Sequence, residues 1–141
     1  MIIYLNGKYL DINEASISPL DRGFLFGDSV YEVIPVYNNQ LFTAKEHLDR
    51  LTQSLTALNI TQPMTHDAWI DIFITLLSYP HNGDRMIYLQ VTRGAYANRG
   101  HASPRDVNPT VFVAALPVTK KDLSKGKCYH DKRSALGKLP H

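Results

Sequence analysis

Alternating apolar and polar positions predict strands at both ends of the first 116 residues. The pair Asn6-Gly7 separates two short runs, residues 2–5 and 8–10, and predicts a hairpin because both turn residues tolerate positive φ. A longer run covers residues 29–37, and Asn38-Asn39 turns it into residues 40–42, which predicts a second hairpin. Pro35 inside that run indicates a sheet edge or a bulge. Residues 85–93 and 110–116 predict two further strands.

Two segments between these strands have helical spacing instead. The first predicted helix starts at Thr43, where Thr43 and Glu46 match a capping box. The second starts near Thr65 and ends before Pro80. Their predicted buried residues are Leu48, Leu51, Leu55 and Leu58 in the first helix and Trp69, Ile72, Phe73, Leu76 and Leu77 in the second. This order predicts an α+β fold, a mostly antiparallel sheet with two helices on one face.

Periodicity ends near residue 117, and the charge changes there as well. Residues 1–116 hold 8 Lys/Arg and 11 Asp/Glu, a net −3, whereas residues 117–141 hold 7 Lys/Arg and 2 Asp/Glu, a net +5. We therefore predict one domain over residues 1–116, followed by a basic tail over residues 117–141. A basic tail can be a polyanion-binding module, but a solvated end is the interpretation we favour, without a nucleic-acid partner.

The composition of 44% apolar and 20% charged residues is ordinary for a globular protein. No apolar run approaches the roughly 20 residues of a membrane helix, and the first residues lack the basic start of a secretory signal. A single cysteine, Cys128, excludes an internal disulfide, so a cytoplasmic protein is the default expectation. No metal-ligand spacing of His and Cys and no Gly-x-Ser-x-Gly motif occurs.

Four side chains are candidates for binding an anion. Tyr31 and Glu32 occupy successive strand positions and therefore face opposite sides, and the Tyr31 phenol is either packing or a hydrogen-bond donor to a carboxylate. Arg50, at the margin of the leucine-rich helix, is either an arginine whose stem packs or a phosphate ligand. Arg99 and His101 lie two residues apart in a glycine-bearing loop, which is either simply solvated or a site for a small anion.

Three segments, in this order along the chain, resemble the motifs of class IV (fold type IV) pyridoxal-phosphate aminotransferases. Residues 21–33 read DRGFLFGDSVYEV, residues 46–51 read EHLDRL and residues 91–94 read VTRG. The Arg99-Gly100-His101 segment further resembles the pair peculiar to the D-amino acid group. The resemblance implies that Tyr31, Arg99 and His101 trap the substrate α-carboxylate and that Arg50 holds the cofactor phosphate. It also implies a homodimer in which the Arg-x-His loop reaches across the interface.

The resemblance ends before the family's reactive lysine, which forms the Schiff base with the cofactor. His130 to Arg133 are able to begin the family's Asp-x-Arg-Trp segment, but the residues that follow do not match, and Lys138 is a poor candidate for that lysine. We therefore expect a truncated N-terminal domain, without the second domain and inactive alone. The alternatives are an aminodeoxychorismate lyase or branched-chain aminotransferase of the same family, or a non-catalytic remnant that serves in assembly.

Overall fold

The computed structural model describes residues 1–104 and 106–118. The basic tail beyond residue 118, with Cys128 and Lys138, lies outside the described residues. The strands and helices, in chain order, are β1 (Ile2–Leu5), β2 (Lys8–Asp11), α1 (Arg22–Phe26), β3 (Ser29–Tyr37), β4 (Gln40–Leu41), α2 (Ala44–Ala57), α3 (His66–Ser78), β5 (Arg85–Thr92) and β6 (Thr110–Pro117). A short 3-10 turn, Ile12–Glu14, follows β2. The predicted α+β class is confirmed.

The described strands form one six-stranded sheet in the order β2-β1-β6-β5-β3-β4. Every pairing in it is antiparallel, and both predicted hairpins are present. Because β4 pairs only with Val36 and Tyr37, β3 is exposed at the edge over most of its length. The Pro35 carbonyl accepts a hydrogen bond from the Phe42 amide at 2.9 Å. The Pro35 nitrogen points the same way, toward β4 and away from β5, so the missing N–H leaves the long pairing of β3 with β5 intact.

Helices α2 and α3 cover one face of the sheet and form the main core with it. The five apolar residues predicted for α3 are all buried, as are Ile87, Leu89 and Val91 of the central strand β5. The opposite face carries a smaller apolar cluster around Ile3, Leu5 and Ala114. None of the described helices is long and apolar enough to cross a bilayer.

Two details of the α2 prediction are wrong. Thr43 has left-handed backbone angles (φ 50°, ψ 36°), and its side chain makes no capping bond, so the predicted capping box with Glu46 does not form. An N-cap residue normally has extended angles that aim its side-chain oxygen at the first free amides. Leu58, predicted to be buried, is 43% exposed because it follows the last helical residue, Ala57, and leaves the apolar stripe.

Helix α1 is a single turn that the hydrophobic pattern did not predict. The Asp21 carboxylate caps it by accepting from the Gly23 amide at 2.8 Å, and Gly27 ends it in the left-handed conformation (φ 66°). Asp21 is almost fully buried and also accepts from the Thr110 hydroxyl at 2.6 Å. These bonds fix the start of α1 against the beginning of β6.

Gly94 supports the same junction and gives a test of the fold. Its φ is +100°, and a Cβ there would clash with the Asn108 carbonyl oxygen. We expect Gly94→Ala to lower the free energy of unfolding by at least ~2 kcal/mol, since conformational strain and steric overlap add. Gly83 is the matched control, with φ +92° but open space around it, so Gly83→Ala should cost only about 1 kcal/mol. Equal losses in urea unfolding of the two variants would contradict this packing.

Candidate anion-binding site

Glu32 is a carboxylate on the buried face of β3. It lies between Val30 and Ile34 on the side of the sheet covered by the helices, and its side chain is only 3% exposed. A carboxylate removed from water in this way requires cationic partners and hydrogen bonds. Helix α2 supplies both.

Arg50 and His47, one turn apart on α2, converge on Glu32. Arg50 donates from Nε to Oε1 at 2.7 Å and from an Nη to Oε2 at 2.5 Å, a bidentate pair. His47 donates from Nδ1 to Oε2 at 2.8 Å. Burial by itself raises the pKa of Glu32, but the bonds from Arg50 and His47 outweigh it, and the pKa lies below its ordinary value. The same contact raises the pKa of Arg50.

This contact orients Arg50 without enclosing it. Its side chain is 65% exposed, while Nε and one Nη are committed to Glu32. Among the described residues, no hydrogen bond uses its second Nη. The guanidinium therefore has a fixed plane and a free edge. An arginine oriented in this way is able to donate hydrogen bonds to a phosphate oxygen.

A second buried cluster lies at the start of β3. Asp28 accepts from Arg22 Nε at 3.0 Å and from Arg93 Nε and Nη at 2.6 and 3.1 Å. Burial raises the pKa of Asp28, but the bonds from Arg93 and Arg22 lower it below its ordinary value overall. Arg93 also donates to the carbonyl oxygens of Leu58 and Asn59, at 2.7 and 3.0 Å. Asp28 therefore links the start of β3 to both the end of α2 and the start of the β5–β6 loop.

Arg99 and His101 are brought together beside the Phe26 ring. The Arg99 guanidinium carbon lies 5.2 Å from the ring centre, and the imidazole centre of His101 lies 5.8 Å from it. Both side chains are exposed, and no ion pair among the described residues involves either of them. The loop therefore presents a guanidinium and an imidazole to solvent on the same side.

Tyr31 lies apart from this pair. It is 64% exposed on the sheet face opposite the helices, where its ring stacks on Tyr88 at 6.0 Å. Tyr88 donates to the Gln90 side chain at 2.9 Å, and Gln90 donates to the Ser29 hydroxyl at 3.0 Å. Within the described part of one chain, no hydrogen bond, ion pair or ring contact joins Tyr31 to Arg99 or His101. Their joint role at one carboxylate remains a prediction.

The residues that hold these candidates in place were not predicted to do so from the sequence. They are the buried residues Asp21, Arg22, Glu32 and Arg93 and the largely buried Asp28, whose side chain is 13% exposed. For Glu32 a signal existed, because strand alternation places it on the same face as Val30 and Ile34 and therefore predicts a buried carboxylate. For Arg22 and Arg93 no periodic signal exists, since their partners come from loops.

Comparison with known proteins agrees with the motifs. The family model "Amino-transferase class IV" matches residues 29–140. The chain belongs to the class IV aminotransferase family. It is 40% identical over 118 residues to a protein of Methanocaldococcus jannaschii provisionally named a branched-chain-amino-acid aminotransferase, covering 84% of this chain and 41% of that protein. It is 37% identical over 127 residues to D-alanine aminotransferase of Staphylococcus haemolyticus, covering 88% of this chain and 45% of that protein. The chain thus spans less than half the length of these two relatives.

Solved structures confirm the fold. The branched-chain amino acid aminotransferase of Escherichia coli superposes with a TM-score of 0.76 at 21% identity, over 83% of this chain and 41% of that one. An aminotransferase of Mycobacterium tuberculosis described as hypothetical, solved in a PLP-bound form, gives a TM-score of 0.73 at 20% identity, over 88% of this chain and 42% of that one. The sheet and helices described above therefore match a part of the fold of class IV aminotransferases.

The Glu32 pair predicts a particular dependence of stability on pH. Because its folded pKa is depressed, Glu32 stabilises the fold fully above its unfolded pKa of about 4.3, and this contribution is lost as the pH falls through the lower folded pKa. We expect Glu32→Gln to lower the free energy of unfolding by ~1–3 kcal/mol at pH 7. The difference from the unsubstituted chain should shrink progressively below pH 5.

Urea unfolding at several pH values measures this effect, and Glu46→Gln is the matched control. Glu46 lies on the same helix but is exposed, so its substitution should stay within ~0.5 kcal/mol at every pH. If Glu32→Gln and Glu46→Gln gave the same pH profile, the Glu32 pair would make no net contribution to stability.

Proposed function

We propose that this chain supplies the phosphate ligand and the carboxylate-binding loop of a pyridoxal-phosphate-dependent aminotransferase that acts on D-amino acids and 2-oxo acids. The single observation that carries this proposal is the pairing of Arg99 with His101 beside the Phe26 ring, in a loop that resembles the Arg-x-His pair of the D-amino acid group. Family membership supports the reaction type, and the site residues support the substrate class.

The phosphate role falls to Arg50. A phosphate ligand must be fixed before the anion arrives, because ordering a long side chain on binding lowers affinity. Glu32 provides this order through two hydrogen bonds and leaves one edge of the guanidinium to solvent. The residues present therefore fit one contact to a cofactor phosphate.

The carboxylate role falls to Arg99 and His101 together with Tyr31. A carboxylate accepts two parallel bonds from a guanidinium, and an imidazole N–H and a phenol add further donors. Arg99 has no carboxylate within ion-pair distance among the described residues, so its charge is available for a ligand. Because Tyr31 lies on the sheet face and, among the described residues, makes no hydrogen bond or ring contact with the loop, we propose that the trap is completed between two copies, as the family resemblance implies.

Pyridoxal phosphate, when bound, supplies the pyridine ring that withdraws electrons from the reacting carbon. This chain's own residues then hold the cofactor phosphate at Arg50 and orient the substrate carboxylate at Arg99 and His101. Residues 134–141 do not match the segment that carries the family's reactive lysine, and Lys138 is the only lysine among them. We therefore propose that the 141-residue chain does not transaminate by itself.

A branched-chain aminotransferase is the second candidate, and one observation favours it. The provisionally named branched-chain relative is 40% identical, compared with 37% for the D-alanine enzyme. The two identities are too close to decide the substrate. The Arg-x-His pair separates them on chemical grounds, since it provides the cationic carboxylate trap that resembles the D-amino acid group.

A chimera tests the proposal directly. Residues 1–116 of this chain would be joined to the C-terminal part of the S. haemolyticus D-alanine aminotransferase, and transamination of D-alanine and of L-leucine would be measured with 2-oxoglutarate. We expect activity on D-alanine. Arg99→Lys should raise the KM for D-alanine by about tenfold or more, because lysine lacks the bidentate fork.

The control is Lys45→Ala, which removes an exposed cation whose ion-pair partner in the described part of the chain is Asp49, and it should leave the KM unchanged. A preference for L-leucine would contradict the D-amino acid assignment and favour the branched-chain alternative. Release of pyruvate from aminodeoxychorismate would favour the lyase. A folded chimera that binds the cofactor but acts on none of these substrates would favour a non-catalytic role in assembly.

A further inference from the structure

The loop that carries Arg99 and His101 is tied at its start to the segment around α1. The Arg22 amide donates to the Gly94 carbonyl at 2.9 Å, the Tyr96 amide donates to the Leu20 carbonyl at 3.3 Å, and Asp21 forms an isolated bridge with Ala95. Beyond Tyr96 the backbone runs outward through exposed residues. Main-chain bonds to the segment around α1 therefore do not explain how the tip of the loop is held.

The buried side chain of Arg22 contacts that tip through its guanidinium. It is 4% exposed, its Nη1 donates to the Gly100 carbonyl at 2.9 Å, and its Nη2 lies 3.5 Å from the His101 carbonyl oxygen. Gly100 is half-buried, whereas Arg99 and His101 on either side of it are exposed. The bond therefore holds the half-buried residue that lies between the two exposed ones.

Two neighbours fix the guanidinium of Arg22 in turn. Asp28 accepts from its Nε at 3.0 Å, and the Phe26 ring centre lies 4.5 Å from its central carbon. The same ring contacts Arg99 and His101. A cation over an aromatic face is favourable, so the ring serves as a common surface for the buried arginine and the exposed pair.

We propose that Arg22 is a positioning residue that sets the Gly100 carbonyl and thereby holds Arg99 and His101 in place to bind a small carboxylate. Its hold on the loop follows from the contacts above, whereas the carboxylate rests on the proposed function. The geometry requires arginine, because one planar fork bonds Asp28 and the loop carbonyl simultaneously. A lysine ammonium is a single point donor and is able to satisfy only one of the two.

Arg93 provides a matched comparison within the same cluster. It is also buried and also donates to Asp28, but its remaining bonds go to the carbonyls of Leu58 and Asn59 at the end of α2. Arg22→Lys and Arg93→Lys therefore disturb the same carboxylate, and Arg93→Lys disturbs it at least as much because Arg93 makes two of its bonds and Arg22 makes one. Only Arg22→Lys removes a bond to the loop tip.

The experiment uses the 141-residue chain labelled with ¹⁵N, with D-lactate as the carboxylate probe. Heteronuclear NOEs of the Arg99, Gly100 and His101 amides report the order of the tip on the ps–ns timescale. Chemical shifts of the same amides report D-lactate affinity. We expect Arg22→Lys to lower the three NOEs and to weaken D-lactate binding by at least ~5-fold, while Arg93→Lys changes neither, although both variants melt earlier.

Equal NOEs and equal D-lactate affinity in the two variants would overturn the proposal. Lower NOEs with unchanged affinity would also overturn it, because the role of Arg22 would then be structural only. If Arg22→Lys does not fold, Phe26→Leu removes the shared ring while keeping apolar volume, and the same two readouts decide. If the unsubstituted chain shows no shifts with D-lactate, the proposed carboxylate site fails, and the NOE comparison still decides whether Arg22 holds the loop.

Discussion

Two carboxylates near the start of β3, the buried Glu32 and the largely buried Asp28, determine the arrangement of the candidate site. A buried carboxylate is tolerated only when cations and hydrogen bonds surround it. Asp28 meets this requirement with Arg22 and Arg93. Glu32 meets it with Arg50 and with the histidine one turn away on α2. Each arginine thereby acquires a fixed orientation and links an element that the sheet alone would not hold. The same pairs that stabilise the fold aim the groups proposed to bind anions.

The fold was largely predictable because periodicity dominates where one face is buried. The alternation of residues 29–37 predicted β3 with the bounds that the structure has, and the apolar face of α3 was predicted in full. The errors lie at element ends, where tertiary context decides. Thr43 adopts a left-handed turn between β4 and α2 rather than a cap, and Leu58 falls just past the last turn of α2.

The candidate site was predictable only in its exposed half. Motif resemblance named Tyr31, Arg50, Arg99 and His101. The structure places Arg99 and His101 together beside one aromatic ring, whereas Tyr31 stacks on a different ring, on the sheet face. The supporting contact from Arg22 to the Gly100 carbonyl joins residues 78 positions apart, and no local pattern specifies it. Supports of this kind require coordinates, because they depend on how a loop passes over a buried side chain.

The most direct test of the account is the affinity of the 141-residue chain for inorganic phosphate, with and without Glu32→Gln, followed through the Arg50 signals by NMR. Removing a negative carboxylate beside Arg50 should strengthen anion binding if charge alone mattered. If Glu32 acts by fixing the guanidinium, its loss should weaken phosphate binding instead. We expect weaker binding in Glu32→Gln, and equal or tighter binding would contradict the role assigned to the buried carboxylate.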